Sequence, residues 1–282
     1  MDTRSNGAAT VTEGWLLTWT DIHSHILPGF DDGASDEEEF LEMARVAVEG
    51  GTRLMAATPH YDCEQPSFEP ATVAAAVEGH NRLLEVEGIP LLLVAGLEVR
   101  INAGLLYLAK SAGLRELSIG GAGNYMLVDL PLSDMPLATP DILFQVQLRG
   151  ITPILAHPER NRYLVEHPRA LGDLVERGIQ IQVDSGSLQG LFGRQAERAA
   201  RLLIEKGTAR LVASDAHSPG GRNPDMSGAA RILGSLMGKT APGVLMEGNP
   251  GSVLDGLELS ETVSHHGGKS ERSRKRSWGR SR

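Results

Sequence analysis

The feature that most limits what this chain can fold into is an alternation that repeats about seven times. Short apolar runs at residues 16–22, 52–58, 90–97, 125–130, 151–156, 179–183 and 209–213 read as strands. Between them, residues 36–49, 70–86, 141–148, 168–177, 190–206 and 225–238 read as helices. In the first of these, Phe40, Leu41, Ala44 and Val48 recur at helical spacing. Strand, helix, strand in regular turn implies parallel strands joined by helical crossovers, an α/β fold. Residues 15–258 read as one such domain, residues 1–14 as a flexible arm, and residues 259–282 as a disordered basic tail.

The same punctuation recurs where the strands end. His23 and His25 close the first run, His60 follows the second, and Glu98 follows the third. Asp129 stands near the end of the fourth, His157 just after the fifth, and Asp215 with His217 after the last. In a parallel barrel the C-terminal strand ends form one face, and active sites sit there. The remaining histidines, His80, His167, His265 and His266, fall on helices or loops. The densest stretch is DIHSHILPGFDDG, residues 21–33. Side chains two apart on a strand share a face, so His23 and His25 can converge. Pro28-Gly29 then turns the chain, and Asp31-Asp32 brings carboxylates back beside the histidines. Ser35 with Glu38 reads as a capping box opening the next helix.

Composition narrows the setting. The chain has 282 residues, 41% of them hydrophobic, enough for a large core. Its one cysteine, Cys63, cannot form an intrachain disulfide, which fits a reducing compartment. No apolar run reaches the roughly 18 residues of a transmembrane helix, and Met1 to Gly14 lacks a signal-peptide core. The expectation is a cytoplasmic protein. The net charge of −9 conceals an asymmetry: Lys269 to Arg282 holds seven Lys/Arg and one Glu, leaving 20 basic and 35 acidic residues before it. An acidic body argues against nucleic acid as a partner.

Nitrogen and oxygen donors without thiolate suit zinc, manganese or iron(II). There are too many of them for one tetrahedral ion, which takes about four ligands. Two or more metals imply a bridging carboxylate, and Glu98, after the most apolar run, is the choice. Arg160 lies three residues beyond His157, and Arg222 lies in the loop after His217. Guanidinium forks bind phosphate bidentately. Either arginine alone is equally a surface residue; together with metals they suggest phosphate-ester hydrolysis. A cysteine-based tyrosine phosphatase is excluded, because the residue six beyond Cys63 is Glu69 rather than arginine. Gly238-Lys239-Thr240 fails as a P-loop, since Leu233 stands where a glycine is required. No G-x-S-x-G elbow is present.

DIHSHILPGFDDG (21–33), ATPHY (57–61), GLEVR (96–100), GITPILAHPERN (150–161), ASDAH…GR (213–222) and MEGNP (246–250) together resemble one family. It is the PHP (polymerase and histidinol phosphatase) superfamily, and within it the bacterial CpsB/CapC-type manganese-dependent protein tyrosine phosphatases. The resemblance implies a distorted (β/α)7 TIM-like barrel holding up to three divalent metal ions, manganese foremost. It implies His23, His25, Glu98 and Asp215 at the first metal, with Glu98 bridging to a second that His157 and Asp129 complete. Asp32, His60 and His217 would hold the third, and Arg160 and Arg222 the phosphate. The family carries glutamate where this chain has Asp129, one methylene shorter, so the second metal is expected to be looser or completed by water. The implied reaction is direct hydrolysis of phosphotyrosine by a metal-activated water. The implied substrate is the tyrosine-rich tail of a bacterial tyrosine kinase that controls capsule or exopolysaccharide synthesis. The alternatives are a PHP phosphatase of a small metabolite such as histidinol phosphate, and a metal-binding regulatory module without turnover. The sequence leaves self-association open.

Overall fold

A computed structural model of the chain describes residues 18–110 and 113–261. The expected arm at 1–14, residues 15–17 and, of the expected tail at 259–282, everything from residue 262 onward lie outside the described residues; the first residues of that tail are described, and Ser260 N–H donates to Asn249 Oδ1 (2.8 Å). Nine strands follow in order: β1 (Trp19–Ser24), β2 (Thr52–Ala57), β3 (His60–Tyr61), β4 (Leu92–Ala95), β5 (Glu98–Arg100), β6 (Tyr125–Asp129), β7 (Thr152–Ala156), β8 (Gln180–Asp184) and β9 (Leu211–Ala213). Every pairing between them is parallel. They form a sheet β1-β2-β4 and a sheet β3-β5-β6-β7-β8-β9.

The division into two sheets comes from two breaks. Pro59, which has no N–H to give a ladder, separates β2 from β3. Gly96-Leu97 separates β4 from β5. At Gly96 a Cβ would approach Thr58 Cγ2 to 3.1 Å and the Ile119 side chain to 3.3 Å, so glycine permits the tight approach at this bend. The apolar run 90–97 is therefore not one strand ending at Glu98: Glu98 opens the next strand, and its N–H donates to the Pro59 carbonyl (3.1 Å). With β2/β3 and β4/β5 each counted as one bent strand, seven strand positions follow one another. The last adjoins the first through a parallel bridge between Ser24 and Ala216. There Asp215 N–H donates to the His23 carbonyl (2.9 Å) and His25 N–H to the Ala216 carbonyl (2.8 Å). The order is that of a distorted (β/α)7 barrel.

The helices Glu37–Glu49, Pro70–Val86, Thr139–Gln147, Pro168–Glu176, Gly193–Glu205 and Ser227–Met237 lie where helical spacing places them, to within a few residues. Two starts differ. The first helix is capped by Asp36, which accepts from Glu39 N–H (2.9 Å), while Glu39 accepts from Ser35 N–H and Oγ–H; the box is one residue later than Ser35 and Glu38 suggested. The helix expected from residue 190 begins at Gly193, behind a separate turn of helix at Ser185–Leu188.

Most of the buried apolar side chains form one large cluster, and Phe40, Met43, Met55, Val128, Ile181 and Leu233 are among its members. A smaller cluster takes Tyr125 and Leu127 from β6, Ile154 and Ala156 from β7, and Leu211 and Ala213 from β9. The two-residue strand period carries the β6 face on to Asp129, and Asp215 follows two residues beyond the end of β9. The strands that close the core therefore present carboxylates at their C-terminal ends.

Candidate metal centre

The strand ends bring all nine expected ligand residues into one connected patch. His23, the fifth residue of β1, is fully buried, and its Nε2 lies 3.2 Å from His25 Nε2. It lies 3.4 Å from both Glu98 Oε1 and Asp215 Oδ1. His25 Nε2 is 3.4 Å from Glu98 Oε2 and from Asp215 Oδ1. His157 stands just beyond β7 in left-handed backbone (φ 35°), which aims its Nε2 at Glu98 Oε1, 3.1 Å away. Asp215 is likewise left-handed (φ 52°). These are the described non-glycine residues with positive φ, and both belong to this patch. Strain of this kind clusters at functional sites.

Four groups of donor atoms lie within metal-holding range of one another: His23, His25 and Asp215; His23, Glu98 and His157; His60, Glu98 and Asp129; and His25, Asp32, His60 and His217. Glu98 is the carboxylate that recurs between groups. Asp129 Oδ1 lies 3.9 Å from His157 Nε2, the longest of the His–carboxylate pairs here. The patch grades from deep to shallow: the side chains of His23 and Glu98 are fully buried, whereas His60 is 36% and Asp32 66% exposed.

Burial disfavours charge on the imidazoles of His23, His25 and His157, yet the surrounding carboxylates prevail. All three are raised, His157 to about 10 through its bond to Glu98 and the charges of Asp184 and Asp215. Burial likewise opposes charge on Glu98 and Asp215, but the facing histidines, His23 first, hold both well below the ordinary carboxylate range. Burial and the neighbouring Glu98 push Asp129 up to about 6. The deep carboxylates thus stay charged and draw positive charge to them, whereas burial and the charge of His25 push His217 down to about 4. Glu98 Oε2 is buried and has no hydrogen-bond partner, although His60 Nδ1 is 2.7 Å away; the two are out of bonding alignment. A buried carboxylate oxygen left without a hydrogen bond among converging donor atoms fits a ligand to a divalent cation, and nitrogen with oxygen suits zinc, manganese or iron(II).

Both expected arginines reach this patch. Arg160 Nη1 donates to Asp215 Oδ2 (2.5 Å) and to Asp184 Oδ2 (2.9 Å), and Arg222 Nη2 also donates to Asp215 Oδ2. Asp215 therefore faces the histidines with one oxygen and both guanidiniums with the other.

Of the residues behind these ligands, sequence reasoning placed only Asp31 beside the histidines, without a role, and missed Gln182 and Glu159. Asp31 Oδ2 lies 2.6 Å from His25 Nδ1 and accepts the His60 N–H (2.8 Å). Gln182 Nε2 donates to Asp184 Oδ1 (2.9 Å), which leaves Gln182 Oε1 to accept from His23 Nδ1 (3.0 Å). Glu159 Oε1 accepts the Asp184 N–H (2.9 Å). A signal was available: Gln180, Gln182 and Asp184 alternate along a strand of a parallel sheet, where an apolar run is the rule.

Residues 19–255 match the model of the family described as "Capsular polysaccharide synthesis, CpsB/CapC". The chain is 39% identical over 227 residues to tyrosine-protein phosphatase YwqE of Bacillus subtilis, covering 80% of this chain and 88% of that one. It is 30% identical over 200 residues to the putative tyrosine-protein phosphatase CapC of Staphylococcus aureus, covering 70% and 76%. A solved structure from work on YwqE and on CpsB of Streptococcus pneumoniae, described as metal-dependent tyrosine phosphatases, matches with a TM-score of 0.78 at 35% identity. It covers 86% of this chain and 96% of that one. A fully buried glutamate shared by two donor groups and histidines at strand ends accompany a family match over residues 19–255, and the chain belongs to the CpsB/CapC family.

Proposed function

We propose that this protein is a metal-dependent protein tyrosine phosphatase. One observation carries the reading: two arginines meet on the same carboxylate, Asp215, that turns its other oxygen to the histidine cluster. A phosphate bound by those arginines would stand beside the ligand groups. The ligand sets implied by the resemblance are proposed for this site: His23, His25, Glu98 and Asp215; Glu98, His157 and Asp129; and Asp32, His60 and His217. Manganese is the proposed ion. Divalent cations held there supply an activated water and Lewis-acid stabilisation of the phosphoryl oxygens.

The chain's own groups do the rest. Arg160 and Arg222 orient the phosphoryl group and offset the charge that builds on its oxygens. Gln182 fixes the His23 proton on Nδ1, and Asp31 engages Nδ1 of His25, so that both Nε2 atoms face the centre. A tyrosyl oxygen has a pKa of about 10, so it departs with less help from an acid than an alkoxide needs. The exposed Asp32 and half-buried His60 set the shallow end of the site at the surface, where a phosphotyrosine still attached to a protein can reach it. The proposed substrate is the phosphorylated tail of a bacterial tyrosine kinase in capsule or exopolysaccharide control, and the proposed setting is the cytoplasm.

The test is turnover on a phosphotyrosine peptide and on histidinol phosphate, with manganese and with chelator, for wild type and His23→Ala. Metal-dependent release that favours the peptide and disappears in the variant is expected. Preference for histidinol phosphate would move the function to a small metabolite. Metal binding without turnover on either would leave a regulatory module.

A further inference from the structure

Phe192 has no part in the roles above. It belongs to the turn between the helical segments Ser185–Leu188 and Gly193–Glu205. Gly190 (φ 81°) and Gly193 (φ 87°) flank it in left-handed backbone, a conformation that side chains disfavour. Gly190 and Gly193 thus allow the chain to reverse and lay the ring back on the short helix that follows β8. A Cβ on Gly186 would meet Phe192 Cε2 and Leu191 Cδ2 at 3.1 Å each, so the ring rests directly on that first short helix. The guanidinium carbon of Arg160 lies 4.0 Å from the Phe192 ring centroid, and that of Arg222 lies 5.8 Å from it. Both fall within the reach of roughly 6 Å over which a cation is attracted to an aromatic face.

One ring thus serves two cations that also share one anion, Asp215 Oδ2. A guanidinium that turns from Asp215 toward a phosphoryl oxygen exchanges one directional charge contact for another. Attraction to the ring depends only on the cation's remaining over the face, so it persists through that turn. We propose that Phe192 is a positioning residue: an aromatic plate that keeps Arg160 and Arg222 paired and aimed at the substrate phosphoryl group. This rests on the phosphatase reading, which gives the arginines a phosphate to hold. If the ring merely filled space, an aliphatic side chain would serve as well.

The experiment compares full-length, manganese-loaded wild type with Phe192→Leu and Phe192→Tyr. Orthophosphate affinity is measured by calorimetry, kcat and KM on a phosphotyrosine peptide, and melting temperature as a check on folding. Phe192→Leu is expected to weaken orthophosphate and raise KM about tenfold, with a smaller change in kcat and an unchanged melting temperature. Phe192→Tyr, which keeps the aromatic face, is expected to remain near wild type. Leucine and tyrosine variants that behave alike would overturn the proposal, and so would a loss in Phe192→Leu that tracks a lowered melting temperature. A Phe192→Met variant repeats the comparison with a flexible apolar side chain and is expected to match leucine. Wild type that neither binds orthophosphate nor turns over would overturn the phosphatase reading and this inference together. Wild type active beside an equally active Phe192→Leu would overturn the inference alone.

Discussion

His23 can turn Nε2 toward the other ligands as an acceptor only while its proton sits on Nδ1, and Gln182 is the residue that holds it there. The amide is itself oriented, since its nitrogen donates to Asp184 and Asp184 is pinned by Arg160 and by its own N–H on Glu159. Gln182→Leu keeps the size and removes the acceptor. Loss of such a supporting contact typically costs about 10–100-fold in metal affinity, and that fall is expected for manganese by calorimetry, with circular dichroism unchanged. Affinity equal to wild type would show that packing alone orients His23. Cys63 gives the opposite expectation. Burial, with Asp62 beside it, pushes the thiol up to about 12, so little thiolate exists near neutrality. Slow alkylation by iodoacetamide at pH 7 and full activity of Cys63→Ser are expected; rapid alkylation with loss of turnover would reopen a thiol mechanism. The nine ligand candidates were legible because they are of metal-binding types and stand beside strand ends or, for Asp32, in the loop that returns to the first of them. Gln182 was marked only by its polar alternation with Gln180 and Asp184, and Phe192 by nothing, because an amide and a phenyl ring carry no such chemical label and act only through what they touch across the barrel.

Elements decide whether those residues arrive. Residues 25–34, which follow β1, fold back on themselves: Ala34 N–H donates to the His25 carbonyl (3.1 Å) and Gly33 N–H to Asp31 Oδ1 (3.0 Å). A Cβ on Gly33 would fall on the His25 carbonyl oxygen and within 2.6 Å of the His25 Cβ. Backbone on a short loop cannot yield as a flexible side chain does. Gly33→Ala is therefore expected to cost roughly 1–3 kcal/mol, the usual penalty for overpacking, and to displace His25 and Asp32 together. Thermal melting and manganese titration check it; an unchanged melting curve with full metal occupancy would show that the loop relaxes freely. The turn itself was visible in Pro28-Gly29, but this close approach was not, since it depends on how the loop returns to β1. The break at Gly96 escaped notice for a similar reason. PLLLVAGL reads as one apolar run, and only the neighbouring Thr58 and Ile119 require it to bend before Glu98. The late start of the helix at Gly193 follows from two left-handed glycines whose φ angles no periodicity reveals.

At the scale of the whole molecule, the ligands come from strand ends far apart in sequence. His23 and His25 belong to the first strand and its edge, Asp215 and His217 to the segment after the last. The backbone bonds that bring first and last together run through the same residues: Asp215 N–H to the His23 carbonyl, and His25 N–H to the Ala216 carbonyl. The strand-helix alternation announced a parallel ring, yet closure is a property of the final register and cannot be read from any one segment. It follows that the proposed metal centre and the join between β9 and β1 form together, and an unfolded chain offers no comparable site. A ligand that binds only the folded state stabilises it by about 2.7 kcal/mol at a hundred times its dissociation constant. For a domain of this size each kcal/mol moves the melting temperature by about 2–4 °C. Chelation is therefore expected to lower the melting temperature by roughly 5–10 °C. Added manganese should restore it in a graded, concentration-dependent way. His23→Ala, which removes a ligand from the joining strand, should show a smaller response, and Cys63→Ser the full one. Differential scanning calorimetry on chelated and reloaded protein reads all three. If melting ignored both chelator and manganese while phosphatase turnover still required the metal, ions would be binding without drawing on the closed ring, and the coupling of site to fold argued from the Asp215–His23 join would be wrong.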